Sequence, residues 1–269
     1  MDSRADRFQQ ALDRLTRKWW VYVVLLPLFF IPAYTVKGYD PRQATDVVEA
    51  VMRHPFIYNL SAVFFLFKLM PVLLLVLLLV FRNRFRTLFH GYVTLLLLAI
   101  AAFQNSAAPA QYGLTILVSN VLYMAIAAMA WLWETISRKG DYTMPEAALW
   151  KWPLFVLTLF AFWFPVNSLT AAPEFNPVSF VANGSMVTGC MLIPVILAVL
   201  LLYFPRVNPV TLRVTGFIGI IFSLINVLTW FVLNPGMWWM GVMHLPLLIV
   251  SSVGFAVSFS IASLPAAAT

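Results

Sequence analysis

Long apolar runs alternate with short polar segments along nearly the whole chain. Eight runs approach the length needed to cross a bilayer: 19–35, 56–81, 88–104, 114–133, 152–169, 185–204, 212–233 and 240–262. Crossing takes about twenty mostly apolar residues, and shorter runs suffice in places. In lipid each run must be helical, because only a helix satisfies its own backbone groups within one segment. The pattern therefore predicts an all-α polytopic membrane protein of eight transmembrane helices.

Residues 1–18 behave differently. Phe8, Ala11, Leu12, Leu15 and Trp19 fall on one helical face, while Arg7, Arg14, Arg17 and Lys18 can meet anionic headgroups. That is the pattern of an interfacial amphipathic helix. The apolar run that follows has no small-residue cleavage site, so it reads as a retained anchor. Between the first two runs, Asp40 and Pro41 are set to start a short helix, with Gln43 placed for a capping box. Val47, Val48 and Val51 on that helix are expected to lie on the membrane surface.

The runs repeat. Leu69–Phe81 and Leu192–Phe204 agree at nine of thirteen positions without a gap, and Pro71 falls on Pro194. With one residue skipped upstream, Asn59, Ser61 and Val63 fall on Asn183, Ser185 and Val187. Lys18-Trp19-Trp20 is echoed by Lys151-Trp152-Pro153, Pro32–Thr35 by Pro165–Ser168, and Gly91-Tyr92 by Gly216-Phe217. The spacing predicts a diverged tandem duplication. Its parts are an interfacial helix at 1–18, a four-helix half at 19–134, a linker at 135–151 and a second half at 152–269. Each half holds an even number of spans, so the two are parallel and related by a pseudo-two-fold axis along the membrane normal.

Composition narrows the class. Hydrophobic residues make up 62% of the chain and charged residues 10%, against roughly 25% charged in soluble domains. The lone Cys190 excludes a disulfide framework. The net charge of +7 comes from loop distribution and does not point to nucleic acid. With the N-terminus inside, thirteen Lys and Arg residues fall on the inner side and only Lys37, Arg42 and Arg53 on the outer. That bias predicts a plasma (inner) membrane protein with both termini cytoplasmic.

Lys68 is the seventeenth basic residue, and it lies about 9 Å inside the second run at 1.5 Å per residue. With no carboxylate at its depth, its ammonium must meet an anionic ligand, backbone carbonyls or water, or lose its proton. The competing reading is snorkelling to the headgroups. Met191 occupies the duplicate position. Pro71 and Pro194 each interrupt a helix and free carbonyls near Phe67 and Cys190; paired interruptions point to a transporter site. Asn59, Asn183, Asn120, Asn226 and His244 are candidate ligand contacts, although interhelical hydrogen bonding is the commoner use of buried amides. Gln104 and Asn105 end their run. No metal-ligand spacing, phosphate loop or hydrolase motif occurs, so no cofactor, metal or catalytic residue is assigned. Asn59-Leu60-Ser61 and Asn183-Gly184-Ser185 match a glycosylation sequon, and the basic cluster Arg82–Arg86 either binds anionic lipid or fixes topology.

The leading functional expectation is a transporter or solute-binding carrier for a small anionic or carbonyl-bearing molecule, with an outward-facing site between the halves. A non-catalytic membrane subunit or scaffold, with partner subunits or as a homo-oligomer, is the alternative. An intramembrane enzyme using Lys68 on a lipid-soluble substrate ranks third. Membrane lipids are partners in every case.

Overall fold

The computed structural model describes residues 4–145, 148–167 and 170–261. Ser168 and Ala262, which close expected runs or echoes, lie outside the described residues, as do 1–3 and part of the linker.

Helices dominate, as their apolar sequences require. In chain order they are α1 (Arg4–Thr16), α2 (Trp19–Leu25), α3 (Ala44–Arg53), α4 (Phe64–Phe81), α5 (Arg86–Ala99), α6 (Val118–Ser137), α7 (Trp152–Trp163), α8 (Ser179–Ala182), α9 (Gly189–Tyr203), α10 (Pro209–Leu228) and α11 (Trp238–Ser258). Among the described residues, four helical stretches are long and apolar enough to cross a membrane: 41–84, 86–104, 209–233 and 235–258. A fifth, 179–203, qualifies only as a pair bent by 98°. This is a membrane-embedded helical protein with four to five such spans, by length and composition, among the described residues. Two expected spans are short: 19–30, and 149–163 including α7. The twelve residues of α7 reach only about 18 Å. The run at 114–133 forms α6, whose polar Ser119, Asn120 and Glu134 lower its apolar character.

The fold is not purely helical. Among the described residues, three two-residue strands, β1 (Tyr34–Thr35), β2 (Ser106–Ala107) and β3 (Thr115–Ile116), form an antiparallel sheet in the order β1-β3-β2. Tyr34 pairs with Ile116 and Ser106 with Ile116 across it. This sheet ties the ends of three expected runs together and gives loop backbone groups the partners they need. Asp40 caps the start of the α3 segment as expected, accepting from Arg42 N. The valines of α3 are a correction. Val47 and Val51 are fully buried, Val51 against Ala107 and Leu117, and only Val48 faces outward. The sheet supplies a protein surface where the sequence suggested lipid.

The closest helix pair is α10 with α11. A Cβ on Gly216 would fall 2.8 Å from Phe255 N and 3.0 Å from Ser251 O, so the two backbones approach as only glycine permits. α9 is buried over nearly its whole length, whereas α4 buries only Phe64, Lys68, Pro71, Leu74 and Leu78. These aligned helices therefore sit in unlike places, one central and one peripheral.

α1 leaves Phe8, Leu15 and the following Trp19 exposed. Its opposite face is not simply solvated. Gln9, Asp13 and Thr16 are buried against the helix bundle.

Candidate functional site

The C-terminal end of α7 organises the first site. Phe164 adopts a left-handed backbone and stops the helix, leaving the last carbonyls without helical partners. Three side chains take them up. The Lys68 ammonium donates to Phe162 O and lies 3.4 Å from Trp163 O. Ser185 Oγ donates to Phe162 O at 2.7 Å. Asn183 Nδ2 donates to Trp163 O at 2.7 Å and Phe164 O at 2.9 Å. Lys68 also stands 4.5 Å from the centre of the Phe162 ring, and it is 1% exposed. A cation at a helix C-terminus is favoured by the dipole as well as by the hydrogen bonds. Of the partners open to Lys68, the structure shows backbone carbonyls.

Asn183 and Ser185 reach these carbonyls because the chain reverses at the bent pair. α8 and the turn 184–187 meet α9 at 98°, and Asn183 Oδ1 accepts from Ser185 N, fixing the turn. Gln104 Oε1 accepts from Gly189 N at 3.0 Å, holding the start of α9. His244 borders the same region: its ring centre is 6.1 Å from that of Phe164, and Nδ1 is 2.7 Å from Met240 O.

The other expected residues are dispersed. Asn226 bonds Phe222 O within its helix, approaches Cys190 Sγ at 3.6 Å and accepts from Trp230 Nε1. Asn59 is exposed, Asn120 is half-buried, and neither has a side-chain hydrogen bond among the described residues. Pro71 lies within α4 and Pro194 within α9. The carbonyl that Pro71 frees, Phe67 O, is approached by Tyr92 OH at 3.5 Å. Pro246 interrupts α11 as well, a third proline outside the aligned pair.

A second polar cluster lies beneath α1. Arg213 is fully buried. It donates to Asp13 Oδ1 at 3.0 Å, Thr16 Oγ1 at 2.8 Å and Ser258 O at 3.0 Å. Asp13 also pairs with Arg17 at 3.0 Å, and Arg17 donates to Phe259 O and Ile261 O. Two arginines bridged by one aspartate thus close the end of α11.

Beside it, Glu134 is 1% exposed. Its Oε1 accepts from Gly140 N at 2.7 Å and its Oε2 from Asn208 Nδ2 at 2.5 Å. Gln9 joins Asn208 at 2.9 Å and accepts from Trp133 Nε1. Tyr142 OH meets His90 Nε2 at 2.8 Å. Gly140 leaves no room for a side chain, since a Cβ would be 2.8 Å from the Tyr142 ring and 3.0 Å from Glu134 Oε1. Asp141, near the surface, is hydrogen-bonded by Asn83 at 2.7 Å and by Thr143. Partial burial works against its charge, but the Asn83 and Thr143 bonds and the nearby Arg206 outweigh that and hold its pKa below the usual aspartate value.

The sequence reading missed this cluster, yet it carried a signal. Glu134 continues the buried stripe Tyr123, Ala127, Trp131 at helical spacing, and Asn208-Pro209 is a helix-start signature. No metal-binding group of His, Cys, Asp or Glu is found among the described residues. No protein-family model, curated protein or solved structure matches the chain.

Proposed function

We propose that this is a multi-pass carrier or solute-binding membrane protein whose site lies where α4, the end of α7 and the bent pair α8–α9 meet. The observation that carries this reading is the Lys68 ammonium, buried against the free carbonyls of an interrupted helix. Irregular backbone at membrane depth persists only where protein or a polar cavity satisfies it, and such interrupted helices build transporter sites. The ligand is a small molecule with a carbonyl or anionic group that replaces Phe162 O and Trp163 O as the partner of Lys68. Trp163 Nε1, buried and unpartnered among the described residues, adds a donor for the same chemistry. Asn183 and His244 border the site; Asn59, Asn120 and Asn226 are assigned supporting positions along the two halves.

Eight spans in two parallel halves, with the α1 end cytoplasmic in a plasma membrane, remain part of this reading. A structural echo supports the duplication. Both α5 and α10 end in a π-helical turn, 100–104 and 229–233, and each turn is followed by an asparagine. Asn105 Nδ2 bonds Ile100 O at 3.0 Å, and Asn234 N bonds Thr229 O at 2.7 Å.

The test is solute binding and a density map for the protein in lipid nanodiscs, wild type against Lys68→Met. Ordered density at the ammonium, and binding lost in the variant, are expected. Binding that survives the substitution overturns the assignment.

The scaffold reading has its own observation: Lys68 already has carbonyl partners, and the outward side of α4 is apolar along its length. It requires a protein that co-purifies in mild detergent and fails to do so when that side of α4 is altered.

A further inference from the structure

We infer that the Glu134 carboxyl group is a proton-binding site, and that its occupancy competes with the capping of α10 by Asn208. The inference does not depend on any ligand of Lys68.

Glu134 is a buried carboxylate with no ion pair among the described residues. The hydrogen bonds it accepts come from neutral N–H groups: Gly140 N, Asn208 Nδ2 and the Lys139 backbone. The groups facing it are few. From α5, the Arg86 guanidinium acts across Gly140, donating to Gly140 O at 3.1 Å. From the segment after α6, Lys139 is engaged by Asp6, and the Tyr142 hydroxyl is engaged by His90 Nε2. Tyr203, at the end of α9, stacks on Tyr142 with ring centres 4.8 Å apart. From α1 the facing group is the neutral Gln9 amide. An isolated buried carboxylate of this kind is held in balance between desolvation, which opposes the charge, and hydrogen bonds, which favour it. Functional carboxylates are found in such settings.

The geometry selects the oxygen that takes the proton. Oε1 faces a backbone N–H that cannot turn, so a proton there would set donor against donor. Oε2 faces the Asn208 side-chain amide, which turns only together with that of Gln9, since Asn208 Oδ1 also accepts from Gln9 Nε2 at 2.9 Å and Nδ2 donates to Gln9 Oε1 at 3.2 Å. The same amide also caps α10, because Asn208 Oδ1 accepts from Val210 N at 3.0 Å. When Oε2 gains a proton from solvent it becomes a donor. The amide must then turn its Oδ1 towards Glu134 and withdraw it from Val210 N. Release of the proton to solvent restores the cap. One proton thus trades places with one helix-capping hydrogen bond, at the foot of the helix that packs most tightly on α11.

The test uses the full chain in nanodiscs. A variant carrying Glu49→Gln, Glu146→Gln and Glu174→Gln leaves Glu134 as the only glutamate, so isotope-labelled glutamate reports it alone by infrared spectroscopy. A carboxylic-acid band that grows on acidification is expected. Hydrogen exchange in the first turn of α10, corrected for the intrinsic effect of pH, should rise several-fold over the same pH interval. In Asn208→Ser, which keeps a capping oxygen but loses the amide, the band should still titrate while the exchange step disappears. No acid band down to the acid limit of folding overturns the proton site. An exchange step that persists in Asn208→Ser, or is absent while the wild-type band titrates, overturns the coupling.

Discussion

The ammonium of Lys68 on α4 donates to the carbonyl oxygen of Phe162 on α7, a residue 94 positions later in the chain. One charged side chain thus closes the C-terminal end of a helix far away in the chain. The contact joins the peripheral α4 to the body of the protein, where its other buried contacts form only a narrow stripe.

Replacing Lys68 with Met removes the charge-assisted bond and leaves α7 carbonyls with fewer donors. Leaving buried polar groups unpaired costs about 1–3 kcal/mol. Lys68→Met is expected to lower the thermal midpoint in detergent, and Asn183→Ala to do so by less, since Trp163 and Phe164, whose carbonyls it serves, are only half-buried. An unchanged midpoint in Lys68→Met would show that the clamp does not hold α4.

Arg213 and Asp13 form the buried pair beneath α1. Removing one member of such a pair typically costs about 3–5 kcal/mol, because the other charge stays buried. Asp13→Asn and Arg213→Met are each expected to destabilise strongly, and the double variant by less than the two together. Thermal denaturation of the four proteins measures this coupling; strict additivity would refute it.

Gly91 and Gly216 are aligned in the proposed duplication, yet their surroundings differ. A Cβ at Gly91 meets nothing closer than Thr135 Cγ2 at 4.0 Å, whereas one at Gly216 meets backbone at 2.8 Å. Gly91→Ala should be near neutral. Gly216→Ala should cost about 1–3 kcal/mol through forced separation of α10 and α11. Equal midpoints for the two variants would contradict the close helix crossing.

Asp141 sets a pH dependence whose sign is fixed by its depressed folded pKa. Its stabilising contribution is fully present above the unfolded value of about 3.9 and is lost as pH falls through the lower folded value. The acid limb of stability should therefore be shallower in Asp141→Asn than in wild type. A stability scan from neutral pH to below the usual aspartate range measures the difference, and superimposable limbs would remove Asp141 from the account.

The two polar sites differ in how far the residues themselves revealed them. Lys68 stood out because a lone cation in an apolar run has few physical options, and one of those foreseen, backbone carbonyls, is the one the structure shows. Asn183 was found through its likeness to Asn59, but only Asn183 reaches a helix end; the spacing carried the likeness and not the difference. Glu134 was read as the edge of a linker because apolar runs end where charge begins. Whether such a charge is solvated or covered depends on Gln9 and Asn208, which approach from distant parts of the chain.

Sequence alone determined the membrane class, most helix positions and the exposed apolar residues of α1, because these follow from transfer free energy and helical period along a local segment. It also exposed the likeness between α4 and α9. Tertiary structure decided the rest: that α9 is central and α4 peripheral, that α7 stops short, that a small sheet buries the valines of α3, and that Lys68, Arg213 and Glu134 are covered. Those outcomes depend on which distant groups satisfy a helix end or a buried charge, and no local pattern encodes that pairing.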